Sequence, residues 1–206
     1  MLKAKHHFFI YPFFQYYTLW ELKRKFHRVE MIGNFEDENK PILLIANHVS
    51  WWDGFWAMYL NLKQIKRKFH FMMQEDQLMK YRFFNLTGAF SISKNSREMI
   101  ESLKYTSDLL VDKQNMVLMY PQGKIYSIYE DNFIFQKGIE RILSDKKDKI
   151  QLIFSANLVD YFSNSKPSLF VYFQTYKGEY YKQAIEAGYN DFYKQSINHQ
   201  KQINTE

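Results

Sequence analysis

The stretch "PILLIANHVSWWDGFW", residues 41–56, sets a continuous apolar run against a sharply polar turn and then resumes apolar residues. "PILLIA" has no alternation, as expected of a strand covered on both faces, so it predicts a central strand of a layered sheet. "NHVS" reads as the turn leaving that strand. "SWWD" then fits a capping box, with Ser50 at the N-cap, Asp53 three residues on, and Phe55 and Met58 beginning the apolar face of a helix.

Similar apolar runs recur at 69–73, 88–93, 116–120, 150–156 and 169–175. Helical patterns stand between them. The clearest runs from Ser96 to Asp112, where Met99, Leu103, Thr106 and Leu110 form one stripe. Residues 54–64, 76–86 and 134–146 are further helical candidates. Strands alternating with helices predict a single α/β layered domain over 31–200, with a mainly parallel sheet flanked by helices. In such sheets chemistry gathers beyond the carboxyl ends of the strands. The last stretch, "KQSINHQKQINTE" (194–206), has few aliphatic residues and is expected to fray.

Residues 1–30 read as a preceding aromatic-rich segment. "HHFFIYPFFQYYTLW" (6–20) is interrupted by Pro12 and is shorter than a bilayer span. The "ELKRKFHR" that follows makes it an amphipathic, interfacial helical segment, with aromatics for the headgroup boundary and cations for acidic lipid. A helix packed on the domain core is the other reading. The expected location is the cytoplasmic face of a membrane, peripheral or monotopic.

The chain has 206 residues, no cysteine and a formal charge of +6. Thiolate catalysis, disulfides and Cys-ligated zinc are excluded. The positive charge favours an anionic partner. The aromatic share of 19% exceeds the needs of a core this size. Aromatics interleaved with lysines, as in "YKGEYYKQ" (176–183), are compatible with base stacking, but no nucleic-acid motif is present and none is expected as a partner. His6, His7, His27 and His70 lack partners at ligand spacing, so no metal is expected.

A capping box accounts for Ser50 and Asp53 but not for Asn47 or His48. A histidine placed just before a helix can have one ring nitrogen held by a first-turn carboxylate, leaving the other facing the space above the sheet. The carboxylate fixes the tautomer and stabilises the imidazolium, the arrangement of a general base.

"NHVSWWD" resembles N-H-x-S-x-x-D, the first block of the glycerophospholipid acyltransferase (PlsC-type) family. "TGAFSISKNSR" (87–97) is similar to that family's second block, G-A-x-x-I-D-R, and "YPQGKIYS" (120–127) to its third, F-P-E-G-T-R-S. The resemblance covers about residues 40–160. It implies a membrane-associated O-acyltransferase of lipid metabolism, with His48 as general base and Asp53 as its orienting carboxylate. The acyl donor would be acyl-CoA or acyl-carrier protein, no cofactor being needed, and the acceptor a lysophospholipid or related lipid. Asn47, Ser50, Lys94, Arg97, Tyr120, Pro121, Gln122, Gly123 and Lys124 are the implied substrate-binding positions. Backbone N–H groups near Gly123 or the 50–53 helix start are the expected oxyanion donors.

The pattern also departs from the family. Gln122 stands for Glu, Lys124 and Ile125 for Thr-Arg, and Ser93-Lys94 for Asp-Arg. Lysine lacks the bidentate fork of arginine, so the resemblance leaves open whether the acceptor carries a phosphate. A noncatalytic lipid-binding relative is the alternative. If the site is real, the strands at 41–46 and 116–120 must end side by side.

Overall fold

The computed structural model describes residues 1–93, 96–143 and 146–203. Lys94, one of the implied binding positions, lies outside them. Along the chain run helix α1 (Ile10–Lys25), strands β1 (Val29–Gly33) and β2 (Ile42–Ala46), helix α2 (Asp53–Leu60) with a π-turn at Asn61–Ile65, and β3 (Lys68–Gln74). Next come α3 (Glu75–Lys80), a 3-10 turn at Arg82–Leu86, β4 (Ala89–Ile92), α4 (Ser96–Leu109) and β5 (Asn115–Met119). Helix α5 (Ile139–Leu143), β6 (Gln151–Asp160), β7 (Ser168–Thr175) and α6 (Lys182–Gln200) complete the described elements.

Seven strands form one sheet in the order β1-β7-β6-β2-β5-β3-β4. Every neighbouring pair is parallel except β6 and β7. The fold is therefore α/β with a mainly parallel sheet, as the apolar runs predicted. β2 is buried along its whole length between β5 and β6. Its alternate residues feed two cores. Ile42, Leu44 and Ala46 pack under α1 and α2, while Leu43 and Ile45 pack under α4, α5 and α6.

β5 runs beside β2 with Ile45 opposite Met119, so the segments 47–53 and 120–123 leave the sheet together. β6 continues from Ser155, opposite Ala46, to Asp160, and so rises above the end of β2 on the other side.

The N-terminal segment shares the first core. Phe14, Leu22 and Phe26 are buried in it, and the Phe14 ring lies 5.3 Å from Phe55 of α2. Pro12 does not interrupt α1: it occupies the first turn, where a missing N–H removes no intrahelical bond. Before the helix, Lys5 exchanges backbone bonds with Asn85 and Gly88 beside β4. His6 there meets His70 of β3 edge to face, with ring centroids 4.7 Å apart. His70 is buried and its Nε2 bonds to Asn115 Oδ1 at 3.1 Å.

Three elements differ from the sequence expectation. β1 was not anticipated, since "VEMIG" is short and has Glu30 as its second residue. The stretch expected to fray, 194–206, is instead helical to Gln200, with Ser196 and Gln200 buried and Ile185, Tyr189, Phe192 and Tyr193 holding α6 on the second core, while 204–206 lie outside the described residues. Aromatic rings replace aliphatic side chains in that stripe. The helix anticipated at 134–146 contracts to Ile139–Leu143 among the described residues, following Gly138 at a φ of +127°.

Candidate active site

Asn47 is the first residue beyond β2. Its side chain takes the place of a ladder rung: Nδ2 donates to the Asn157 carbonyl at 3.0 Å, and Oδ1 accepts the Asn157 N–H at 2.8 Å. The amide is fully buried, so it fixes the turn against β6. The chain can then swing away from the sheet without leaving that rung of β6 unpaired.

His48 follows. Its backbone N–H donates to Gln122 Oε1 at 2.7 Å and its carbonyl accepts the Tyr126 N–H at 2.8 Å. The third block is thereby fastened to the first. The imidazole lies flat on the Tyr120 ring, centroids 4.2 Å apart and planes 12° from parallel. Its Nδ1 stands 2.7 Å from Asp53 Oδ2. Nε2 has no protein partner among the described residues, and the side chain is 26% exposed.

Asp53 opens α2 and is fully buried. Its Oδ2 also accepts the N–H groups of Val49, at 2.7 Å, and Ser50, at 3.0 Å. Ser50 Oγ accepts the Trp52 N–H at 3.1 Å. The expected capping box is not formed: the helix begins at Asp53 with Trp52 as its N-cap, and the Asp53 N–H goes to the Ser50 carbonyl at 3.3 Å. The carboxylate thus ties the turn 48–50 together and reaches the histidine with the same oxygen. Burial pushes the Asp53 carboxyl above its ordinary range, while the bonds from His48, Ser50 and Val49 pull the other way. Its Oδ1 is buried without a protein partner among the described residues.

Gln122 is buried at 1% exposure, and its Nε2 finds no partner among the described residues. Its amide therefore serves the His48 backbone through oxygen alone. Pro121 is buried and its carbonyl accepts the Gln136 N–H at 2.8 Å. The Tyr120 hydroxyl is likewise buried and unpartnered among the described residues, and burial raises its pKa well above 10.

Gly123 has a φ of +73°, and a Cβ there would stand 3.0 Å from Gln136 Cγ. Its N–H is spent on the Tyr120 carbonyl at 3.1 Å. The N–H groups of Val49, Ser50, Trp52 and Asp53 are likewise committed to bonds within the turn. Of the expected oxyanion donors, Gly123 itself and the helix-start groups are therefore engaged elsewhere. The Lys124 and Ile125 N–H groups, between Gly123 and the Tyr126 that bonds His48, have no partner among the described residues.

Lys124 is exposed, its ammonium 4.9 Å from the Tyr126 ring centroid. Arg97 stands in the first turn of α4, after β4, on the same rim of the sheet but three strands from β2. The structure thus gathers Asn47, His48, Ser50, Asp53 and Tyr120 to Lys124, while Arg97 starts α4 beside the edge strand β4 of the same rim. Three contributors had no sequence signal: Asn157, Tyr126 and Gln136 act through backbone groups or at long range.

The surroundings are aromatic. Trp56 is in the core, Trp52 is half-buried, and Trp51 is exposed beside Phe55. Phe9, Phe13, Tyr16 and Trp20 project from α1 into solvent. Among the described residues no helix is long and apolar enough to cross a membrane.

Compared with known proteins, residues 23–153 match the family model described as Acyltransferase. No curated protein matches the chain.

Proposed function

The chain belongs to the Acyltransferase family, and on that premise we propose that it is a membrane-associated O-acyltransferase of lipid metabolism working through a His48–Asp53 general base. The observation that carries this reading is the 2.7 Å approach of His48 Nδ1 to Asp53 Oδ2, with Nε2 left without a protein partner among the described residues on a partly exposed ring.

In the proposed reaction Nε2 takes the proton of an acceptor hydroxyl as its oxygen attacks the carbonyl carbon of an acyl thioester. Asp53 stabilises the imidazolium so formed. The tetrahedral oxyanion collapses, the carbon–sulfur bond breaks, and the departing thiolate takes the proton back from Nε2. The new ester and a free thiol are the products. The unspent Lys124 and Ile125 N–H groups are the candidate donors to the oxyanion. Tyr120 restricts the imidazole to one plane.

The donor is acyl-CoA or acyl-carrier protein, and the acceptor a lysophospholipid or related lipid hydroxyl. Ile125, Ile128, Tyr129 and Ile134 are exposed on the segment following Gly123, which suits an acceptor delivered from a bilayer. Docking through the outer face of α1 would present the site to that surface.

The test is acyl transfer from labelled acyl-CoA and acyl-carrier protein to lipid acceptors with and without phosphate, comparing wild type with His48→Ala. Transfer that disappears in the variant supports the reading. Equal transfer by both proteins removes His48 from the mechanism.

A further inference from the structure

The outward stripe of α1 changes character along its length. Phe9, Phe13, Tyr16 and Trp20 recur at spacings of four, three and four, and are 72%, 66%, 70% and 48% exposed. The next position of the same stripe is Lys23, and the spacing continues to His27 beyond the helix end. At that point the surface opens into a cleft of about 330 Å³.

Two distant parts of the chain form this cleft. Lys23, His27 and Arg28 come from the α1–β1 junction, and Lys63 from the π-turn after α2. Leu22, Phe26 and Tyr59 supply apolar walls between them. Lys23 and Lys63 have no carboxylate partner among the described residues. The Lys63 ammonium instead lies 5.7 Å from the Tyr59 ring centroid, and Arg28 shares its charge with Glu30 at 3.7 Å. Neighbouring Glu21 is occupied by Arg24. The cleft is therefore cationic and apolar-walled, and Lys23 and Lys63 have no counter-charge in it among the described residues.

It also lies close to the candidate active site. The Phe26 ring approaches Trp52 at 6.5 Å and Trp56 at 6.1 Å, and Trp52 is four residues from His48. Val29 pairs with Leu169, which pairs with Val159, four residues past the Ser155 that stands opposite Ala46. The start of β1 therefore reaches the level of the His48 turn.

We propose that this cleft seats the phosphate headgroup of an anionic bilayer phospholipid, distinct from the acyl acceptor, with its chains passing into the membrane along the aromatic stripe. The charge is complementary to a phosphodiester, and the apolar walls take the glycerol and first methylenes. The bound lipid fixes how α1 lies on the membrane and so directs the His48 opening. This rests on the membrane-associated reading given above.

Two measurements separate the cleft from that reading. The first follows the His27 ring resonances while dihexanoyl phosphatidylglycerol, dihexanoyl phosphatidylcholine or inorganic phosphate is added below micelle formation. Saturable shifts with phosphatidylglycerol, weak ones with phosphate and none with phosphatidylcholine are expected. Equal responses to all three, or none to any, overturn the proposal.

The second is sedimentation with phosphatidylcholine vesicles containing phosphatidylglycerol, at about 0.15 M salt, where long-range attraction is screened. Lys23→Glu and Lys63→Glu each weaken binding about tenfold, against a much smaller loss for Lys25→Glu, which makes the same charge change outside the cleft. Equal losses in all three overturn the cleft in favour of diffuse attraction. If wild type ignores every vesicle while His27 still saturates with the short-chain lipid, the membrane reading fails and the headgroup site stands.

Discussion

Replacing Asp53 by Asn keeps the size and the acceptor oxygen of the side chain but removes its charge. The Nδ1–Oδ2 separation of 2.7 Å puts the two charge centres about 4 Å apart when His48 is protonated, worth about 4 kcal/mol at an effective dielectric constant near 20. All of that would cost about three decades in rate. His48 is partly exposed, so water screens some of the attraction, and a fall in kcat of about 10²–10³-fold is expected.

Stability should move the other way or not at all. Burial raises the Asp53 pKa, so the ionised carboxylate is the less comfortable form in the fold, and a neutral amide escapes that cost. The amide oxygen can still accept the Val49 and Ser50 N–H groups. The assay is acyl transfer at saturating donor alongside calorimetric melting. A variant with more than about a tenth of the wild-type rate would refute the electrostatic role. A marked drop in melting temperature would show the carboxylate to be chiefly a structural cap.

Three further outcomes follow from neighbouring features. Burial, reinforced by the charge of His6, lowers the His70 pKa from 6.5 to about 4, so the unfolded chain binds the extra proton between these values. Stability should therefore be full above pH 6.5 and fall by about 3 kcal/mol toward pH 4, and denaturant melts of His70→Gln should lose most of that acid slope. Gly123→Ala places a Cβ in the left-handed region and against Gln136, so a loss of about 1–2 kcal/mol in stability and a clear loss of kcat are expected from melts and rate assays. Tyr120→Phe deletes a buried, unpartnered hydroxyl and keeps the stacking ring, so rate should hold within about twofold and melting should not fall, whereas Tyr120→Leu loses rate.

What the sequence disclosed depended on how local each signal was. β2, its turn and α2 lie within nineteen residues, and the strand's apolar run, Ser50 and Asp53 each speak for their own position. The His48–Asp53 contact spans five residues and was legible from spacing. The Asn47–Asn157 bonds span 110 residues and the His48–Gln122 bond 74, so nothing near Asn47 marks the carbonyl it will meet. α6 escaped notice because Tyr189, Phe192 and Tyr193, residues equally at home on a surface, form its buried stripe. The unspent N–H groups beside Gly123 were hidden for a related reason. Which N–H groups a turn spends on itself depends on its folded bonds, and Gly123 spends its own.

The clasp between Asn47 and β6 also bears on how the protein comes to life. β2 finds its neighbours only after β5 and then β6 have been added, and each partnership closes a loop of roughly seventy to more than a hundred residues. Such long-range pairings are slow to form. During synthesis the histidine turn emerges early and must wait, unanchored, for Asn157 to arrive and hold it. Catalytic competence should therefore appear late in refolding, after most helix has formed, and its appearance would time the final closure of the sheet.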